Sequence, residues 1–157
     1  MNITGRFLND MQVFVPYPTP IDVAKCLDEK RRKSQINECT TILNTLKGYS
    51  TAFDRHPIMA MFRNNIEWLE YYQKCLEKYR DGDPNADYYS KLADTFTPEW
   101  MTEEFCDQHK RRLYTKAPAK YPQFAKYGTS DENWYADAEG NIIKYRNGER
   151  ICCIALR

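Results

Sequence analysis

The 157-residue chain carries 42% hydrophobic and 29% charged residues and a formal net charge of +1, the profile of one globular domain with a real core. No apolar run approaches the ~18 residues that span a bilayer, and the start MNITGRFLND lacks the apolar centre of a signal peptide. A cytoplasmic, monomeric protein with no membrane segment is therefore expected.

Taken in chain order, residues 11–16, MQVFVP, read as extended. Thr19-Pro20 opens a helix, with Thr as N-cap, Pro at the first helical position and Asp22 in the first turn. That helix carries Val23, Cys26 and Leu27 and gives way near Arg31–Lys33. A second helix is expected from about Ser34 to Leu46, where Gly48 stops it. Its apolar residues Ile36, Cys39, Leu43 and Leu46 form one buried stripe. His56-Pro57 opens a third helical stretch that runs to Asp81-Gly82-Asp83-Pro84, with Asn64-Asn65 as a break in the middle. Residues 85–96 are a short helix or a loop. Thr97-Pro98 repeats the cap-plus-Pro signal, so a further helix is expected from there to Lys116, before Pro118.

The tail differs in kind. From Trp134 onward the signals are those of strands. Asn147-Gly148 is a strong type I′ hairpin signal, and Glu139-Gly140-Asn141 is a weaker turn. A hairpin is marginal alone, so this one should pack on the helices. The expected fold is mainly α: a compact helical single domain with a small C-terminal antiparallel β-hairpin. Residues 1–10 form an N-terminal extension, 11–128 the helical part, and 129–157 an appendage packed on the same domain.

Six cysteines include no C-x-x-C pair. Adjacent Cys152 and Cys153 are too constrained for an easy mutual bridge, and reduced, buried thiols are expected. The two histidines, His56 and His109, give no zinc spacing. There is no G-x-G-x-x-G, P-loop or H-E-x-x-H motif. No metal and no cofactor is expected.

Charge is concentrated in one place. HKRRLYTKAPAKYPQFAKY, residues 109–127, holds six Lys/Arg, four aromatics and no acid. Basic heads neutralise phosphates and rings stack on bases, so the mixture suits nucleic acid. The other reading is a helix C-terminus complementing its macrodipole and aromatics covering a core edge. On the helix that leads into it, Phe105, His109, Arg112 and Lys116 occupy a narrow sector. They place basic heads either over a phosphate or, by snorkelling, simply in water. On the second helix Arg31, Gln35, Glu38 and Ile42 share a stripe bordering the apolar one. A carboxylate at such a border suits general acid/base work; the alternative is a solvated Glu38 paired with Arg31. His56 at a helix start caps or packs locally, or joins a site.

Three blocks line up in order: MQVFVPYP at 11–18 with LDEKRRKSQINECTTILNTL at 27–46; HPIMAMFR at 56–63; and FCDQHKRRLYTKAPAKY at 105–121. Together they resemble the bacterial and phage pyrimidine-dimer DNA glycosylases, relatives of phage endonuclease V. The resemblance implies a compact helical fold acting on double-stranded DNA. It implies a glycosylase with AP-lyase activity, in which an N-terminal α-amine attacks the sugar C1′, the base leaves, a Schiff base forms and β-elimination nicks the strand. An α-amine, with a pKa near 8, keeps a usable free fraction at neutral pH. Glu38 matches the assisting glutamate, and Arg31 an arginine near it. The amine is that of Met1 or of a lysine such as Lys116. Arg112 and Lys116 match residues that hold the DNA backbone. His56, Arg63, His109 and Tyr121 complete the expected DNA-binding set. Glu38, His109, Arg112 and Lys116 should then converge on one groove, with His56 or Arg63 at its edge. Two other functions stay open: a non-catalytic DNA-binding accessory protein of the same fold, and a protein-interaction module using the hairpin edge.

Overall fold

The computed structural model describes residues 11–154. The protein is mainly α, with a small antiparallel sheet at its C-terminal end. Helices α1 (Pro20–Cys26), α2 (Glu29–Leu46), α3 (Pro57–Phe62), α4 (Ile66–Arg80), α5 (Asn85–Asp94) and α6 (Glu103–Lys116) are followed by a 3-10 helix, Pro122–Tyr127. Strands β1 (Glu132–Ala136), β2 (Ile142–Arg146) and β3 (Glu149–Ile154) form a meander in the order β1-β2-β3.

Helix α4 is the centre of the packing. Trp68, Leu69, Tyr72, Cys75 and Leu76 are all fully buried, and the helix packs against α1, α2 and α5. Phe62, Trp68 and Tyr72 stack in series, with centroids 6.1 and 5.0 Å apart. Such offset pairs add about 0.5–1.5 kcal/mol each to the area they bury. The break at Asn64-Asn65 separates α3 from α4, as the sequence indicates.

Two helix starts differ from expectation. The chain leaves the helical region at Leu27 (ψ 138°), and α2 begins at Glu29 rather than Ser34. Asp28 is the cause: its carboxylate accepts from the backbone N of Arg31 at 3.2 Å, an N-cap that starts the helix five residues early. Helix α6 begins at Glu103, not after Thr97-Pro98. Residues 98–102 fold instead into turns that bury Trp100, which is 2% exposed. Thr102 is the real cap, accepting from Phe105 N at 3.2 Å. The 3-10 helix after Tyr121 is also absent from the sequence reading.

The tail forms three strands, and its second turn matches its signal. Asn147 and Gly148 both adopt positive φ, 53° and 81°, the pair that a type I′ turn needs. The sheet is fixed to the helices by β1, which packs on α3 and α6. Among the described residues no helix is long and apolar enough to cross a membrane.

Cys26, Cys39, Cys75 and Cys106 are free thiols. Burial pushes Cys75 and Cys106 up to about 12 and Cys26 up to about 11, so they stay protonated and unreactive at neutral pH.

Candidate active site

Residues 11–15 run as an extended segment between the helices, held by side chains on both edges. On one edge Phe14 N donates to Gln35 Oε1 at 2.7 Å and Gln35 Nε2 donates to Gln12 O at 2.9 Å. Tyr72 donates to Phe14 O at 2.7 Å. On the other edge Tyr135 donates to Met11 O at 2.8 Å, and Val15 N donates to His109 Nδ1 at 2.7 Å. One further bond brings a carboxylate to this backbone: Gln12 N donates to Glu38 Oε2 at 3.2 Å. Glu38 is thus aimed at the backbone of the extended segment, in line with Gln35 one helical turn earlier.

Glu38 opens onto a cleft of about 290 Å³ between the extended segment, α2 and the end of α6. Phe14, Arg31, Ser34 and Gln35 form one wall, and Lys116, Ala117 and Lys120 the other. Lys30, Arg31, Lys116 and Lys120 supply four cations against the two carboxylates of Glu38 and Asp28. The Arg31 guanidinium lies 5.5 Å from the centroid of the Phe14 ring.

Asp28 organises the mouth of this cleft. It caps α2, accepts a short hydrogen bond from Tyr121 Oη, and pairs with Lys120 at 3.4 Å. Burial works against its charge, yet the bonds from Tyr121, Arg31 N and Lys120 together hold its carboxyl below the ordinary value. Burial, and then the bond to Asp28, push the Tyr121 phenol up, so it remains a donor.

The sequence-predicted residues divide. Glu38, Arg31 and Lys116 meet in the cleft. Tyr121 sits behind it, 0% exposed and bonded to Asp28. It positions the cleft's cations rather than presenting a ring to DNA, which corrects the expectation. His109 needs the same correction: it is 1% exposed and its Nδ1 is committed to Val15 N. Its ring packs on Phe105 and Phe14, 4.7 and 5.7 Å away. Arg112 is also turned inward, donating to Asn133 Oδ1 at 3.1 Å and Ser130 O at 2.6 Å. So the row His109, Arg112, Lys116 does not converge on Glu38; Lys116 alone reaches the cleft, because α6 ends there. His56 caps α3, accepting from Ile58 N at 3.0 Å, and stacks edge-on against Tyr135. Arg63 is exposed at the end of α3 and does not line the cleft. Met1 and the rest of 1–10 lie outside the described residues.

The basic-aromatic stretch 109–127 is therefore split: His109, Arg112, Tyr121 and Phe124 are buried framework, while Lys116, Lys120 and Lys126 are exposed. Lys110 lies 5.0 Å over Tyr17 and 4.7 Å over Tyr127 while pairing with Asp107. Arg111 donates to Tyr127 O at 3.0 Å. Lys30 and Lys120, by contrast, line the cleft although the sequence reading passed over them. Lys30 follows the Asp28 cap by two residues, a signal that only a correct helix start would have exposed.

A second depression, about 270 Å³, lies between the Trp100 turn and the β1–β2 turn. It gathers Glu99, Asp137 and Glu139 and no basic residue, a lining that repels a phosphate backbone. Among the described residues no group of three or more His, Cys, Asp or Glu could hold a metal ion.

The inward turn of His109 makes stability depend on pH. Burial first, and Arg112 second, lower its pKa from 6.5 to about 3. The folded state keeps His109 neutral while the unfolded chain protonates below 6.5, so this contribution is full above that pH and is lost as pH falls towards 3. His109→Gln retains a non-titrating acceptor for Val15 N. The stability gap between wild type and variant, measured by denaturant titration, should be widest at pH 7 and narrow by pH 4. A constant gap would contradict the assignment.

Residues 11–78 match the family model described as pyrimidine dimer DNA glycosylase, the family that the sequence blocks resemble. The match covers less than half of the chain. It contains Arg31 and Glu38 and stops before α6, so Lys116 and Lys120 lie beyond it. The chain matches no curated protein and no solved structure.

Proposed function

We propose that this chain, whose residues 11–78 carry the sequence of the pyrimidine dimer DNA glycosylase family, is a DNA glycosylase with AP-lyase activity. It acts on a damaged or modified pyrimidine through an amine Schiff base. The observation that carries this reading is the placement of Glu38: a carboxylate bonded to the backbone of the extended segment, at the floor of a cleft ringed by four cations.

The chemistry follows from those groups. A free amine forms a bond to the sugar C1′ as the glycosidic bond breaks, and the base leaves with the bonding pair and takes up a proton. The sugar ring opens to an imine. Loss of a C2′ proton then expels the 3′ phosphate and nicks the strand. The Glu38 carboxylate stabilises positive charge developing at the sugar and carries protons between these steps. Cations around the cleft bind phosphates, and they also disfavour protonation of a nearby amine, raising the fraction able to attack. The amine is the α-amine of Met1 or the side chain of a cleft lysine such as Lys116. A chain shortened to begin at Met11 would carry its α-amine one residue from the Gln12 N–H that meets Glu38.

Borohydride trapping tests the reading. The protein is incubated with abasic-site duplex and borohydride, and the covalent adduct is mapped by peptide mass. An adduct on the α-amine or on a cleft lysine is expected, and acetylation of the α-amine distinguishes them. Salt-dependent duplex binding without an adduct would leave a DNA-binding accessory protein. Neither binding nor adduct would favour a protein-interaction module built on the β3 edge, where Ile151 is 44% exposed.

A further inference from the structure

The two-edged bonding of residues 11–15 fixes which way each of their side chains faces. Gln12 O and Phe14 N meet one side chain, Gln35, on one edge, while Met11 O and Val15 N bond on the other. That alternation is the signature of extended backbone, in which side chains two apart share a face. Gln12 therefore lies on the face of Phe14, and Phe14 lines the cleft. Its backbone N–H meets Glu38.

The Gln12 side chain is sealed, at 2% exposure, yet neither its Oε1 nor its Nε2 makes a hydrogen bond. Gln35, equally buried, commits both amide atoms to backbone. A buried amide idle at both ends is costly, and Met or Leu would fill the same space without the penalty. An amide offers an acceptor and a donor side by side in one plane. A pyrimidine of the thymine type offers the complement: the N3–H beside the C4 carbonyl. Saturation of the C5–C6 bond leaves that edge intact.

We propose that Gln12 is a specificity-determining residue whose side-chain amide pairs with the N3–H and C4 carbonyl edge of the pyrimidine at the reacting nucleotide. The inference rests on the glycosylase reading and adds how the base is recognised there. Seating the base requires the cleft wall to part around Gln12. The idle amide eases that step, because no protein hydrogen bond of its side chain has to break.

Two substrates separate base reading from everything else. A duplex carrying a pyrimidine dimer requires base release before nicking; an abasic duplex has no base to read. Gln12→Met keeps the length and removes both polar atoms. Gln12→Leu removes both polar atoms with a branched side chain of similar volume. Both variants should lose about tenfold or more in base release, the scale of a bidentate base contact, while nicking the abasic duplex at the wild-type rate. Gln12→Met should also melt no lower than wild type. Unchanged base release in either variant, or base release falling in step with abasic nicking, overturns the inference. Should one variant fail to fold, the other decides. A wild type that nicks the abasic duplex while both variants release base normally removes only the role of Gln12. A wild type inactive on both substrates removes the glycosylase reading and this inference with it.

Discussion

Glu38→Gln should slow base release and strand nicking by about 10²–10⁴-fold, the range for loss of a positioned acid/base group. Fold and duplex affinity should stay near wild type. The substitution keeps the side-chain length, and its amide oxygen can still accept from Gln12 N, which Glu38 Oε2 now does at 3.2 Å. What disappears is the negative charge beside the sugar and the ability to carry a proton. Single-turnover rates on dimer-bearing and abasic duplexes check this, with melting and gel-shift affinity as controls. A variant within threefold of wild type on both substrates would move the chemistry away from this carboxylate.

Arg112→Ala should cost about 2–4 kcal/mol of stability, because two charge-assisted hydrogen bonds inside the protein are worth about 1.5–3 kcal/mol each, less any relaxation. The guanidinium joins α6 to Asn133 Oδ1 within β1 and to Ser130 O just ahead of it. Its removal takes the donors from both acceptors and loosens the sheet from the helices. Lys116→Ala should do the reverse. At an exposed helix end it should change stability by no more than about 0.5 kcal/mol. It should lower the slope of log affinity against log salt by about 0.9, one phosphate contact. Urea unfolding and salt-dependent binding of the two variants make the comparison. An Arg112→Ala protein that unfolds like wild type but binds DNA poorly would return Arg112 to the interface.

The features of the fold that are local in sequence were the ones legible in it. Proline after a capping residue opened α1 and α3, glycine closed α2, and Asn147-Gly148 set a turn whose backbone angles leave little alternative. The misplaced starts of α2 and α6 have one physical origin. Several residues within a few positions could cap, and tertiary packing chose: burial of Trp100 drew 98–102 into turns, and Asp28 was recruited both by Arg31 N and by Tyr121. At the site, Glu38 and Arg31 were readable because they sit on one helix at a stripe border. His109 and Arg112 were not. A histidine and an arginine at the edge of a buried stripe look the same whether they turn outward to a phosphate or inward to a backbone. The partners that turned them inward, Val15, Ser130 and Asn133, come from segments that helical periodicity does not describe. Lys30 and Lys120 were missed because each belongs to the cleft only once the turn after α6 is brought against the start of α2, where Lys120 and Tyr121 meet Asp28.

Tyr135 holds the backbone of Met11 across 124 positions of sequence, His109 holds Val15 across 94, and Tyr121 holds Asp28 across 93. During synthesis the segment that carries Glu38 leaves the ribosome first and waits. Its own helices can form early, since their contacts are local. The cleft cannot close until nearly the whole polypeptide has emerged, and domains of this size finish only when their last pieces arrive. A message truncated before α6 would therefore yield helices that hold the glutamate and no finished cleft around it, because Lys116, Ala117 and Lys120 form its other wall. Translation through α6 and the turn after it becomes the condition for the Glu38 cleft to exist at all.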